Sequence, residues 1–285
     1  MKVLRGVALA LSLMSLMVWY AGCGGNIFSG LESGKRLTEA LTAIEQGDYT
    51  TAKQIYEDVL KSDPNNVTAL IGHAKATVGE VGMEAGSVVA TVVDQAKEVA
   101  DVREEAWKLW DAVTDELRKS VEQTVPQEQQ NQKIVENMLT AAQDLERAKQ
   151  AGATDDDTQL LTGVVKGLAA VSTLLLVFDN DNDGAIENEE LGEATAWQDW
   201  TEIVSYTDPI TGETVSDEAR NIIVENAQDA INSIKNVLDP NDPDDKDVLD
   251  SLDELSNRLQ ELLGLTEEQV QELVQKLKDL IKPQA

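Results

Sequence analysis

Histidine and cysteine are almost absent from this sequence, which limits the chemistry open to it. The 285 residues include one histidine and one cysteine. A single cysteine excludes an intramolecular disulfide, so stability must come from packing or from a bound metal. His73 lies in a stripe of residues at helical spacing, where a structural role is favoured over a general base or a zinc ligand. We therefore expect a protein that is not an enzyme; the alternative is an enzyme or enzyme subunit that uses carboxylates.

Positive charge and aromatic residues are also scarce. The chain has 23 Lys and Arg against 53 Asp and Glu, a net charge of −30, and its aromatic content is 4%. Such a surface repels nucleic acid and anionic lipid headgroups, so we expect neither as a direct partner. It would attract cations and basic protein surfaces. The simpler interpretation is solubility in a salty or calcium-containing medium.

No alternating strand pattern of useful length appears in the sequence. Ala, Leu, Val, Glu and Gln dominate, and apolar residues recur at helical spacing from Leu37 onward. The predicted fold class is therefore all-α. The segment from Leu160 to Val177 is apolar enough to suggest a membrane span, but Lys166 and two glycines within it favour a buried core helix. Residues 208–212 predict a turn that a small hairpin would also fit.

The first 22 residues have the features of an export signal. Lys2 and Arg5 precede an apolar run from Val7 to Tyr20, which has the length of a secretory signal and is short for a bilayer span. The run ends at Tyr20-Ala21-Gly22-Cys23, which resembles the lipobox of bacterial lipoproteins, with tyrosine in place of the usual leucine. The resemblance implies that Cys23 is lipidated and becomes the new N-terminus. An ordinary signal peptide or an N-terminal anchor helix is the alternative.

Cleavage before Cys23 would leave 263 residues, and loss of Lys2 and Arg5 would change the net charge from −30 to −32. Residues 23–34 read as a flexible tether between the lipid and the folded chain. Gly24 follows the cysteine, where lipoproteins kept at the inner membrane commonly have aspartate. The resemblance therefore implies a cell-envelope protein, in the outer membrane facing the periplasm if the source has two membranes.

The sharpest local pattern runs from Asp179 to Glu190. It holds six carboxylates in 12 residues without a lysine or arginine, and these charges repel one another unless a cation lies among them. The spacing resembles the calcium loop of an EF-hand, which supplies hard oxygen ligands to Ca2+. The alternative is a solvated acidic turn. The ligands that the resemblance implies are the side chains of Asp179, Asp181, Asp183, Glu187 and Glu190 and the backbone carbonyl of Ala185.

EF-hands usually occur in pairs, and this chain has one loop that fits well. Residues 207–218 lack the early carboxylates of the pattern. Residues 239–250 are acidic, but Asp244 replaces the glycine and Lys246 replaces the apolar residue. Each of these two segments is a candidate for a degenerate partner loop.

Residues 35–79 resemble a tetratricopeptide repeat. Gly47 to Ala52, Tyr56, Val59-Leu60 and Asp63 to Asn66 match the second helix and inter-repeat turn of that motif, and residues 68–74 resemble the next first helix. The resemblance implies that Ala52 lies at a close helix contact and that Tyr56 is buried. It covers about one and a half repeats, and a generic helical hairpin is the alternative.

These patterns divide the chain into six parts: a signal peptide (1–22), a tether (23–34), repeat-like helices (35–79), a helical region (80–154), an EF-hand (155–204) and C-terminal acidic helices (205–285). Trp107 with Trp110 and Trp197 with Trp200 each share a helix face, which favours core packing over an exposed aromatic patch. The predicted function is a lipid-anchored envelope protein that binds Ca2+ and serves as a non-catalytic protein-binding or scaffolding module. A calcium-responsive switch is a further alternative, and the envelope partner is unknown.

Overall fold

The computed structural model describes residues 27–82, 130–178 and 196–281. Within these ranges the chain forms nine helices and one β-hairpin, which confirms the predicted all-α class. The helices are α1 Ile27–Glu45, α2 Tyr49–Ser62, α3 Val67–Glu80, α4 Gln130–Gln150, α5 Asp156–Phe178, α6 Ala196–Trp200, α7 Ala219–Lys235, α8 Pro243–Leu263 and α9 Glu267–Ile281. The hairpin consists of β1 Ile203–Thr207 and β2 Thr214–Glu218.

Helix α1 begins within the predicted tether. Residues 27–34 form the first turns of this helix. Ile27 and Leu31 are apolar residues four apart, a spacing that favours a helix. Gly34 lies inside the helix, where glycine costs about 1 kcal/mol relative to alanine but does not by itself end the helix.

Helices α2 and α3 pack closely because tyrosine rings on one lie over glycines on the other. A Cβ atom on Gly72 would lie 2.2 Å from the Tyr56 ring, and one on Gly79 would lie 2.2 Å from the Tyr49 ring. Tyr49 and Tyr56 are seven residues apart on α2, and Gly72 and Gly79 are seven residues apart on α3. The first tyrosine meets the second glycine and the second tyrosine meets the first, so the two helices are antiparallel. Ala52 and Tyr56 are buried, where the repeat resemblance places them.

Short polar side chains cap the first turns of α2, α3 and α5. Asp48 accepts a hydrogen bond from the Thr51 amide at the start of α2, and Asn66 accepts one from the Ala69 amide at the start of α3. Asp155 accepts one from the Thr158 amide next to the start of α5. Each bond satisfies an amide that the first helical turn leaves without a backbone partner.

Helix α5 is the central helix of the described chain and packs against α4 and α7. By length and composition it is the one helix in the described ranges that could cross a membrane, and 72% of its most apolar window is buried inside the protein. Such burial is typical of a core helix, which is what the sequence predicts for this segment. Gly163 allows close approach to α7, since a Cβ atom there would lie 3.2 Å from the Ala230 carbonyl oxygen.

The hairpin is the exception to the helical prediction for residues 205–285. Ile203 pairs with Glu218 and Thr207 pairs with Thr214 in an antiparallel register. Its turn contains Gly212 at a φ of 71°, a conformation that glycine adopts without strain. On β1, Val204 and Tyr206 face inward and the other three residues are exposed. Two inward residues make the alternation of apolar and polar side chains too short to indicate a strand in the sequence.

Candidate functional site

The predicted calcium loop begins directly after a described helix. Helix α5 ends at Phe178, and α6 begins at Ala196. The predicted ligands Asp179, Asp181, Asp183, Ala185, Glu187 and Glu190 lie outside the described residues, as does Cys23. The calcium site and the lipid site therefore stay predictions. The side chains of Leu175 and Phe178, which precede the loop, are buried in the core.

Neither candidate for a second EF-hand loop has the required structure. Residues 207–218 form the hairpin turn and β2, and they follow a strand instead of an entering helix. Most of residues 239–250 belong to α8, which begins at Pro243. Among the described residues, no group of three or more His, Cys, Asp or Glu side chains is arranged to hold a metal ion.

A cluster of charged side chains is enclosed where α2, α3, α4 and the hairpin meet. His73 on α3 has no exposed surface, and its Nδ1 lies 2.5 Å from Oδ2 of Asp144 on α4. The Nε2 atom lies 3.7 Å from Oε1 of Glu57 on α2. We call this group the His73 cluster, and its members are Glu57, His73, Asp144, Arg147 and Asp208.

Arg147 links three parts of the chain within the cluster. Its Nη2 donates a hydrogen bond of 3.0 Å to the Pro64 carbonyl oxygen in the turn between α2 and α3. Its Nη1 lies 3.6 Å from Oδ1 of Asp144 and 3.8 Å from Oδ2 of Asp208. Two buried carboxylates therefore share one guanidinium nitrogen at distances longer than a direct hydrogen bond.

Asp208 brings the hairpin into the cluster. Its carboxylate is buried, and Oδ1 accepts backbone hydrogen bonds from the amides of Ile210 at 2.7 Å and Thr211 at 3.2 Å. Among the described residues, none forms a hydrogen bond with Oδ2, which faces Arg147. Burial of a carboxylate is costly unless a cation compensates its charge, so Arg147 is needed for the hairpin turn to pack here.

The surroundings of His73 favour its protonated form. Burial lowers the pKa of His73, but the hydrogen bond to Asp144 and the nearby Glu57 carboxylate outweigh this effect, and the net pKa lies above the ordinary value. The nearby His73 imidazole lowers the pKa of Glu57. Burial raises the pKa of Asp144, with His73 and Arg147 opposing the change. The pair therefore holds at least one proton more tightly than the separate groups would.

This arrangement has no access for a substrate at the imidazole. His73 is fully enclosed, so its geometry agrees with the structural role that the sequence favours. The sequence did not indicate its partners, because Asp144 lies 71 residues further along the chain. The i, i+3 spacing of Asp144 and Arg147 places them on one helix face, but that spacing does not reveal which helix the face contacts.

Other ion pairs also join helices rather than form a site. Lys166 on α5 lies 3.3 Å from Oε2 of Glu146 on α4 and also forms an ion pair with Asp229 on α7. Lys53 on α2 pairs with Glu80 on α3 at 2.8 Å. These pairs hold neighbouring helices in one register.

The tryptophan pair on α6 belongs to the core, as predicted. Trp200 is buried and Trp197 packs against the same apolar cluster. The Arg220 guanidinium lies 5.6 Å from the centre of the Trp197 ring, which is within range of a cation–π contact. Trp107 and Trp110 lie outside the described residues.

Comparisons with protein-family models, with curated proteins and with solved structures found no match to this chain.

Proposed function

We propose that the protein is a lipid-anchored cell-envelope protein that binds Ca2+ at residues 179–190 and serves as a non-catalytic protein-binding or scaffolding module. The observation that carries the calcium proposal is the 12-residue acidic pattern that starts one residue after the buried end of α5. An EF-hand loop needs an entering helix of this kind, and Phe178 closes that helix.

Calcium at this position would act on the whole fold through α5. That helix packs against α4 and α7, so an ion bound directly after α5 also favours the packed state of its neighbours. Ligand that binds only the folded state stabilises it by about 2.7 kcal/mol at 100 times its dissociation constant. We therefore assign calcium a structural role. A calcium-responsive switch would instead require a large change of structure on ion removal.

Titration calorimetry with Ca2+ tests this assignment. Glu190→Gln should weaken binding most, because it removes a charge from the residue expected to bind through both oxygens. Asn180→Ala is the matched control, since that position points away from the ion in the family pattern, and it should bind as the original protein does. Mg2+ should compete poorly, because it prefers a tighter octahedron. Absence of binding heat at millimolar Ca2+ would refute the calcium site.

Two features support a scaffolding role. The three antiparallel helices α1 to α3 resemble a repeat that commonly binds proteins, and the single histidine of the chain is enclosed within a charge cluster instead of lining a cleft. Purification from membranes through a C-terminal tag, followed by identification of what co-purifies, tests this role. A partner that is lost when the α1–α3 surface is substituted would support it. Retention of the partner in such a variant would exclude this surface.

The lipid anchor rests on the lipobox-like sequence at Cys23. Two or more acyl chains hold a protein at a membrane stably, whereas a single chain does so only marginally. Cys23→Ser should therefore block processing or release the protein from washed membranes. A Cys23→Ser protein that is cleaved and still bound like the original would contradict lipidation.

A further inference from the structure

The two buried carboxylates of the His73 cluster, Asp144 and Asp208, are matched by two positive charges when His73 is protonated. Two carboxylates face the imidazole, Glu57 from α2 and Asp144 from α4. A third carboxylate, that of Asp208 from the hairpin, lies near Arg147. Arg147 is the cation that lies between Asp144 and Asp208. With a neutral imidazole, these two buried carboxylates share one positive charge. Protonation of His73 supplies a second positive charge next to Asp144 and leaves Arg147 available to Asp208.

The other charged and titratable groups near the imidazole do not supply this charge. Lys53 on α2 is within electrostatic range of His73 and Glu57, but it pairs directly with Glu80 at 2.8 Å. Lys61 on α2 pairs with Asp58 at 3.2 Å. The Tyr206 hydroxyl donates to Gln143 on α4, and burial together with the nearby carboxylates raises its pKa, so it stays neutral.

The same cluster holds the tip of the hairpin in place. Asp208 places its carboxylate beside Arg147, and Ile210 packs against the apolar cluster formed by α1, α2 and α3. Arg147 also binds the turn between α2 and α3 through the Pro64 carbonyl. Without the attraction between Arg147 and Asp208, residues 208–213 would be held by the apolar contact of Ile210 and by the hydrogen bonds within the turn.

We propose that residues 208–213, the hairpin tip, form a pH-sensitive attachment between the C-terminal part of the chain and helices α1–α4, which protonated His73 keeps closed. When His73 loses its proton, Asp144 attracts Arg147 more strongly, and the attraction between Arg147 and Asp208 weakens. The hairpin tip then opens more often. Contact between the hairpin and the N-terminal helices thus varies with the pH of the surroundings.

The direction of the pH response follows from proton linkage. In the closed state Asp208 competes with Asp144 for Arg147, so Asp144 holds the His73 proton more tightly than in an open state, where Arg147 is left to Asp144. The attachment is therefore strongest where His73 is protonated, as long as the carboxylates remain ionised. As pH rises through the closed-state pKa of His73, the opening constant should rise, by at most about tenfold for each pH unit.

A single histidine makes this proposal directly measurable. Nuclear magnetic resonance of the full chain in detergent, with a tag that contains no histidine, reports the titration of His73 without ambiguity. Hydrogen exchange of the amides at 208–213, corrected for the intrinsic rate at each pH, reports opening of the tip. We expect His73 to titrate above 6.5, and protection of the tip to fall as pH rises through that titration.

Three variants separate the attachment from general stability. Asp208→Asn keeps an oxygen that accepts the turn hydrogen bonds but removes the charge, so protection of the tip should lose its pH response while His73 still titrates. His73→Gln should also remove the response. Glu213→Gln, an exposed charge on the same tip, should retain it. Constant protection of the tip across the wild-type titration of His73, or an unchanged response in Asp208→Asn, would overturn the proposal.

Discussion

Substitution of His73 or Asp144 alone should destabilise the protein strongly. Substitution of both together should cost less than the sum of the two single changes. In His73→Leu, Asp144 would stay buried with Arg147 at 3.6 Å as its remaining cation. A buried charge that loses its partner costs about 3–5 kcal/mol, whereas replacement of a whole pair by apolar side chains is often near neutral. Asp144→Leu should cost a similar amount, because it leaves His73 and Arg147 without their shared carboxylate.

Urea unfolding at pH 6, followed by tryptophan fluorescence, measures these costs. The double variant His73→Leu/Asp144→Leu should be more stable than the sum of the two single changes predicts, by about 0.5–3 kcal/mol. Lys61→Ala is the control, because its ion pair with Asp58 is exposed and such pairs contribute about 0–1 kcal/mol. A cost below about 1 kcal/mol for His73→Leu, or strict additivity in the double variant, would refute the assignment of a coupled buried pair.

Three further outcomes are expected from the same geometry. Gly72→Ala should cost about 1–3 kcal/mol, because its Cβ would lie 2.2 Å from the Tyr56 ring, whereas Gly34→Ala, with nothing within 4 Å, should be neutral or stabilising in thermal melts. The free energy of unfolding should fall as pH rises from 6.5 through the raised pKa of His73, since the folded state holds that proton more tightly, and His73→Gln should flatten this dependence in urea titrations. Lys166→Met should destabilise the protein by leaving two carboxylates without their shared cation, and a melting temperature equal to that of the original would contradict this role.

The helices could be predicted from the sequence because local chemistry determines where they begin and end. Asp48, Asn66 and Asp155 are residues of the capping type placed directly before or near apolar residues at helical spacing, and each accepts an amide hydrogen bond from the first turn. Tyr56 and Ala52 are buried for the same reason, since their spacing defines one face of α2. These are contacts within about one turn of the chain or between neighbouring helices.

The His73 cluster and the hairpin could not be predicted in this way. His73 meets Asp144 across 71 residues, and Arg147 reaches Pro64 across 83 residues. Which helix faces meet over such distances depends on the packing of the whole chain. The hairpin has two inward side chains on β1, too few to distinguish a strand from a helical surface. Asp208 followed by proline indicated a turn, but its burial depends on Arg147 from another element.

Thermal unfolding with Ca2+ and with chelator is the most direct test of calcium as a structural ion. The original protein should melt at a higher temperature in millimolar Ca2+ than in chelator, because the ion binds only the folded state. Asn180→Ala should show the same difference, and Glu190→Gln should lose most of it. Equal melting temperatures of the original protein in both conditions would contradict a structural calcium ion at residues 179–190.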